Sequence, residues 1–150
     1  MDPRDLRLRR LTYRLIVELG RAPTAAETAA AGAMAEAGVA RGWQRLHDQH
    51  ALVLDAETAA IRMANPFSAV PTPYRVLAGG RSWHANCAWD AFGTCAALHV
   101  DGRIETSCAD CGDALHVAVV NRLPDDESRA SIASFPRTGG GTTSSSPEAR

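Results

Sequence analysis

Apolar positions in the first fifty residues recur at helical spacing. Leu8, Leu11, Leu15 and Leu19 fall three and four apart, which predicts an amphipathic helix over 4–19 that stops at Gly20. Thr24 and Glu27 in "APTAAETAA" have capping-box spacing and start a second helix. "AGAMAEAG" carries two glycines and predicts a turn, followed by a third helix near 34–48 with Val39, Trp43 and Leu46 on one face. The period then changes. "ALVLD" (51–55) and "AAIRMA" (59–64) are short apolar runs split by a few polar residues, the pattern of a hairpin. Three short helices and a hairpin outline a winged-helix-like unit over 1–65.

Residues 66–80 hold Pro66, Pro71 and Pro73 and are expected to form a stiff, extended connector, since proline disfavours helix and central strand. A second unit, 81–135, holds "RSWHANCAWDAFGTCAALHV", "DGRIETSC" and "ADCGDALHVAVV". Asp101-Gly102 reads as a turn between two strand-like runs, and 115–120 as a strand. The segment 136–150, with "TGGGTTSSSPEAR", is low in complexity and expected to be disordered. The expected fold class is α+β: a winged-helix-like three-helix unit, then a small mixed α/β unit with antiparallel strands, then a disordered tail.

Composition narrows the function. A net charge of −1 gives no global field for nucleic acid or an anionic membrane. No apolar run approaches the ~20 residues of a spanning helix, and "MDPRDLRLRR" lacks the apolar core of a secretory signal. The expected location is cytoplasmic. All 16 basic residues are arginine, so Schiff-base chemistry and the P-loop lysine are excluded. Ser128, Ser131 and Ser134 lack an elbow motif or a nearby histidine, so serine hydrolysis has no support.

The four cysteines, Cys87, Cys95, Cys108 and Cys111, all lie in the second half. In a cytosolic chain such residues bind metal, react or simply pack. Cys87 and Asp90 are the most suggestive. If Asn86 caps a helix beginning at Cys87, the thiol and the carboxylate share a face. The helix N-terminus favours an anion there, and the two acidic groups would share one proton. Thiolates prefer soft metals and a carboxylic acid delivers a proton, so protonating a carbon–metal bond would use both. A packed cysteine beside a solvated acid is the plainer alternative.

"ANCAWDAFG" resembles the central motif of the alkylmercury (organomercurial) lyases. "YRLIVELGRAPTAAE", "LHDQHALVLD", "NPFSAVPTPYRV" and "GRIETSC" resemble the same family in the same order, so the similarity spans about residues 5–120. The resemblance implies a winged-helix-like unit that does not bind DNA, followed by a catalytic unit. It assigns Cys87 to mercury binding, Asp90 to proton delivery, Cys108 to a structural role and Trp89 to packing beside the site. It implies protonolysis, R–Hg⁺ plus a proton giving a hydrocarbon and Hg(II), in mercury detoxification. The implied partners are organomercurial small molecules, with low-molecular-weight thiols and a mercuric reductase removing Hg(II); neither membrane nor nucleic acid is expected. No cofactor is implied, because mercury is substrate and product. The family also uses a further downstream cysteine. None follows Cys111 here, leaving Cys108 and Cys111 as substitute thiols.

Two rival readings come from the residues themselves. "CADCG" has the form of one zinc knuckle, which makes Cys108 and Cys111 half of a structural zinc site and the protein a non-catalytic metal binder. Six arginines in the first 21 residues suit a winged-helix DNA-binding regulator, although the third helix offers only Arg41 and Arg45 against Glu36 and Asp48. His47, His50, His84, His99 and His116 fit no ligand pattern, though His84, three residues before Cys87, is placed to help ionise it.

Overall fold

A computed structural model describes residues 1–125. Three helices come first: α1 (Pro3–Leu19), α2 (Ala25–Gly32) and α3 (Glu36–Asp48). Each end has a local cause. Asp2 caps α1 by accepting the Arg4 N–H at 2.7 Å, and Pro3 sits where its missing N–H costs nothing. Gly20, at φ 71°, ends it by donating to Ile16 O. At α2 the expected capping box forms: Thr24 Oγ1 accepts from Glu27 N at 3.1 Å, and Glu27 Oε2 accepts from Thr24 N at 2.7 Å. Arg21 pairs with the same carboxylate, and with the Thr24 N–H it pulls Glu27 down to about 2.

The helices close on a core of Leu8, Ile16, Val39, Trp43 and Leu46. One polar chain crosses it. The Trp43 indole N–H donates to Thr12 Oγ1 at 3.0 Å, and the Thr12 hydroxyl donates to Leu8 O at 2.9 Å, so neither buried group is orphaned. Asp5, only 2% exposed, accepts three contacts of 2.6–3.2 Å from the Arg45 guanidinium.

The remaining elements build one sheet. Its strands are β1 (Val53–Leu54), β2 (Ile61–Ala64), β3 (Phe67–Ser68), β4 (Arg75–Ala78), β5 (Arg81–Ala85), β6 (Gly102–Ser107), β7 (Ala114–Val120) and β8 (Leu123–Pro124). The spatial order is β1-β2-β3-β5-β4-β6-β7-β8, with every neighbouring pair antiparallel. A fourth helix, α4 (Ala88–Leu98), lies between β5 and β6 in the chain. The fold is therefore α+β.

Three expectations about local structure need revision. The proline-bearing stretch 66–80 is extended, but it also supplies β3 and β4, and β4 is internal to the sheet between β5 and β6. Proline does not stand in the way, because β4 begins two residues after Pro73. The run before Asp101-Gly102 is the end of α4 rather than a strand. His99 at φ 54° closes the helix, and β6 starts at Gly102 itself. Alanines at 91, 96 and 97, the best helix formers, let this apolar run coil as readily as extend. Finally, the 51–64 hairpin is continuous with the strands of the second unit instead of forming a sheet of its own. The low-complexity segment 136–150 lies outside the described residues. Among those described, no helix is long and apolar enough to cross a membrane.

Two buried clusters lie along the sheet. One joins the three helices to Ile61, Phe67, Ala78 and Trp83. The other packs Ala91 and Cys95 of α4 on Val76, Ala85, Ile104, Val117 and Val119. The Trp83 indole N–H donates to Ile16 O at 3.1 Å, so a carbonyl from the last turn of α1 has its partner on β5.

Candidate functional site

The junction of β5 and α4 carries the thiol and the acid. Cys87, not Asn86, is the N-cap. Its backbone is extended (φ −155°, ψ 178°), and its Sγ accepts the Asp90 backbone N–H at 3.4 Å. The helix thus begins one residue later than expected, with Asp90 in its first turn. Sulfur takes the place a capping serine oxygen would hold, directed at the positive end of the helix. Both Cys87 and Asp90 are half-buried.

Asn86 is thereby released from capping. Its carboxamide nitrogen lies 3.2 Å from Asp90 Oδ2 and 3.1 Å from Asn65 Oδ1, with Pro66 O at 3.4 Å and Phe67 O at 3.5 Å. The sequence signal was present, a carboxamide next to the thiol, but capping was the wrong role for it. Trp89, expected to pack beside the site, is instead 84% exposed. His84 Nδ1 lies 3.2 Å from Thr72 N and 3.1 Å from Thr72 O, so that nitrogen is engaged with the loop before β4 in either tautomer.

The other cysteines divide between core and turn. Cys95 is fully buried beneath α4 against Gly102, and burial pushes its thiol up. Cys108 and Cys111 sit in the β6–β7 turn. Cys108 N donates to Asp113 O at 2.8 Å, and Gly112, at φ 78°, donates to Cys108 O at 2.9 Å. The Cys111 N–H, then the Asp110 N–H and the Cys111 thiol, hold Cys108 below its ordinary value. The Asp113 N–H pulls Cys111 down, but the Asp113 carboxylate and the Cys108 sulfur outweigh it and leave Cys111 raised. Of the two thiols, Cys108 is the one shifted toward ionisation. Among the described residues no group of three or more His, Cys, Asp or Glu side chains is placed to hold a metal ion, whereas a structural zinc site takes four ligands.

Strand register relates the turn to the thiol–acid pair. His84 of β5, Arg75 of β4 and Glu105 of β6 form one row. Both β5 and β6 are antiparallel to β4, so they run in the same direction. Cys87 and Cys108 each lie three residues beyond that row and leave the sheet at the same end. Two strand spacings, roughly 10 Å, separate β5 from β6. Arg45, one of two arginines available on α3 for a nucleic acid, is committed to Asp5.

The family model described as MerB: Alkylmercury lyase matches residues 67–146, more than half of the chain. Among solved structures, one described as the crystal structure of the mercury-bound form of MerB2 has a TM-score of 0.66 at 24% sequence identity. The match covers 83% of this chain and 60% of that one, so this chain spans about three fifths of that structure's length. At that identity the likeness is one of fold. No curated protein matches the chain.

Proposed function

The chain belongs to the alkylmercury lyase family, and from that premise we propose that it cleaves carbon–mercury bonds by protonolysis at Cys87 and Asp90. The observation that carries the proposal is the first turn of α4, where the Cys87 sulfur and the Asp90 backbone N–H meet at 3.4 Å inside the matched segment. The Cys87 thiol passes its proton to Asp90, and the sulfur displaces the labile ligand X⁻ of R–Hg–X as the sulfur–mercury bond forms. The carbon–mercury bond then breaks with its electron pair on carbon, and Asp90 supplies the proton that completes R–H. Mercury stays Hg(II) throughout, so no oxidant or reductant takes part. A soft thiolate holds the metal, while a hard carboxylic acid serves the carbon.

Hg(II) left on one thiol needs a second. Cys108 and Cys111 are the candidates, because their turn stands at the same end of the sheet as Cys87. Low-molecular-weight thiols or a mercuric reductase would then take the metal away, completing a detoxification step.

The test is benzene release from phenylmercury by the wild type, Cys87→Ser and Asp90→Ala. Each substitution is expected to lower the rate at least about 100-fold, the lower range for loss of a positioned proton donor. Asp90→Ala should still bind mercury, and Cys87→Ser should not. Replacing Cys108 and Cys111 together by serine should slow turnover through retained product; unchanged activity rules out their part. Benzene release that persists in both single variants defeats the proposal. Mercury binding through Cys87 with no hydrocarbon from the wild type identifies a trapping protein instead.

A further inference from the structure

We infer that Asn86 is a positioning residue that fixes the rotamer of Asp90 and joins it, through Asn65, to the N-terminal helices. The inference rests on the lyase reading for its catalytic consequence, but its geometry stands apart from it. A primary amide has two N–H groups. The two shortest contacts of Asn86 Nδ2 are Asn65 Oδ1 at 3.1 Å and Asp90 Oδ2 at 3.2 Å. The next two, Pro66 O and Phe67 O, are also oxygens. Every neighbour is an acceptor, so only the nitrogen of the carboxamide suits this place, and its orientation is set by its surroundings.

The chain of bonds continues outward. Asn65 O accepts the Tyr13 hydroxyl of α1 at 2.9 Å. Tyr13, Asn65, Asn86 and Asp90 thus run from the first helix, through the loop between β2 and β3, to the acid. With Oδ2 taken as an acceptor in either protonation state, Oδ1 is left to carry and release the proton. Loss of the Asn86 donor would free the carboxyl to rotate, while the thiol at the helix cap stays where it is. The effect should fall on proton delivery and not on mercury capture.

Two measurements decide this. In the 15N-labelled protein, the side-chain amide protons of Asn86 are identified by their loss in Asn86→Ala. Asp90→Ala should move one of them upfield and Asn65→Ala the other. In phenylmercury turnover, Asn86→Ala should lower kcat by about 10- to 100-fold, as loss of an orienting outer partner does, with KM and mercury bound per chain unchanged. Adding Asn86→Ala to Asp90→Ala should cost less than about twofold more, because the two act as one unit. Asn65→Ala, which keeps the carboxamide but removes its anchor, gives a smaller loss of the same kind and serves if Asn86→Ala does not fold. The inference is overturned if the Asn86 amide protons ignore Asp90→Ala, or if Asn86→Ala leaves kcat unchanged. It also falls if Asn86→Ala costs as much without the Asp90 carboxyl as with it. If the wild type releases no benzene, the lyase reading falls by itself, and the amide protons alone decide whether Asn86 holds Asp90.

Discussion

Among single residues, the buried charge of Asp5 shows how one side chain joins two helices. The Arg45 guanidinium lowers the Asp5 carboxyl below its ordinary value of 3.8, mainly by hydrogen bonding and against the opposing effect of burial. A carboxyl held low in the folded state gives stability that is complete above 3.8 and lost as pH falls through the folded-state value. Wild type should therefore lose thermal stability below about pH 4 more steeply than Asp5→Asn, as followed by circular dichroism. At neutral pH, Arg45→Ala should lower the midpoint of denaturant titration, because it removes the hydrogen-bonded partner of a buried carboxylate. An unchanged midpoint would mean that water serves Asp5 as well as arginine does. Asn86 belongs to the same scale. Its residue type was visible beside Cys87, but its partners, Asn65 and Asp90, lie 21 and four residues away in sequence and meet only across the β2–β3 loop.

Elements were legible where their ends carry chemical signals. Thr24 and Glu27 announced α2, and Gly20 announced the end of α1, because capping is local and needs no distant partner. Short apolar runs were harder. "CAALHV" suits helix or strand, and its first four residues are helical because Cys95, with Ala91, must be buried on the sheet beneath α4. That packing leaves Gly102 no room for a side chain. A Cβ there would lie 2.9 Å from Leu77 O, 3.1 Å from Cys95 Sγ and 3.2 Å from Ala78 Cβ. The first neighbour is backbone and cannot turn aside. Gly102→Ala should lose about 1–3 kcal/mol as an overpacked core does, measured by urea denaturation. A loss below about 0.5 kcal/mol would show that α4 gives way readily.

For the whole molecule, the helical unit and the strands around α4 meet on one sheet, along which the two buried clusters lie. Trp83 bridges them, packing with Phe67 and donating to Ile16 O. Trp83→Ala should cost about 3–5 kcal/mol, the range for removing a buried aromatic. Unfolding of the wild type should be one transition, with tryptophan fluorescence and far-ultraviolet circular dichroism coincident. Two separated transitions would show that the units are stable independently. The Tyr13–Asn65, Asn65–Asn86 and Asn86–Asp90 contacts tie Asp90 to the first helix as well as to its own.

The amino-acid sequence by itself determined the end of α1, the start of α2, the 51–64 hairpin, the α+β class and the family, because each rests on neighbours a few residues apart or on an ordered series of short motifs. Only the tertiary structure decided that β4 is internal to the sheet, that Cys87 caps α4 and that Asn86 is free to hold Asp90. It also decided that Cys87 and the Cys108–Cys111 turn leave the sheet at the same end. Those facts depend on strand order and register, which bring together residues that no local pattern relates.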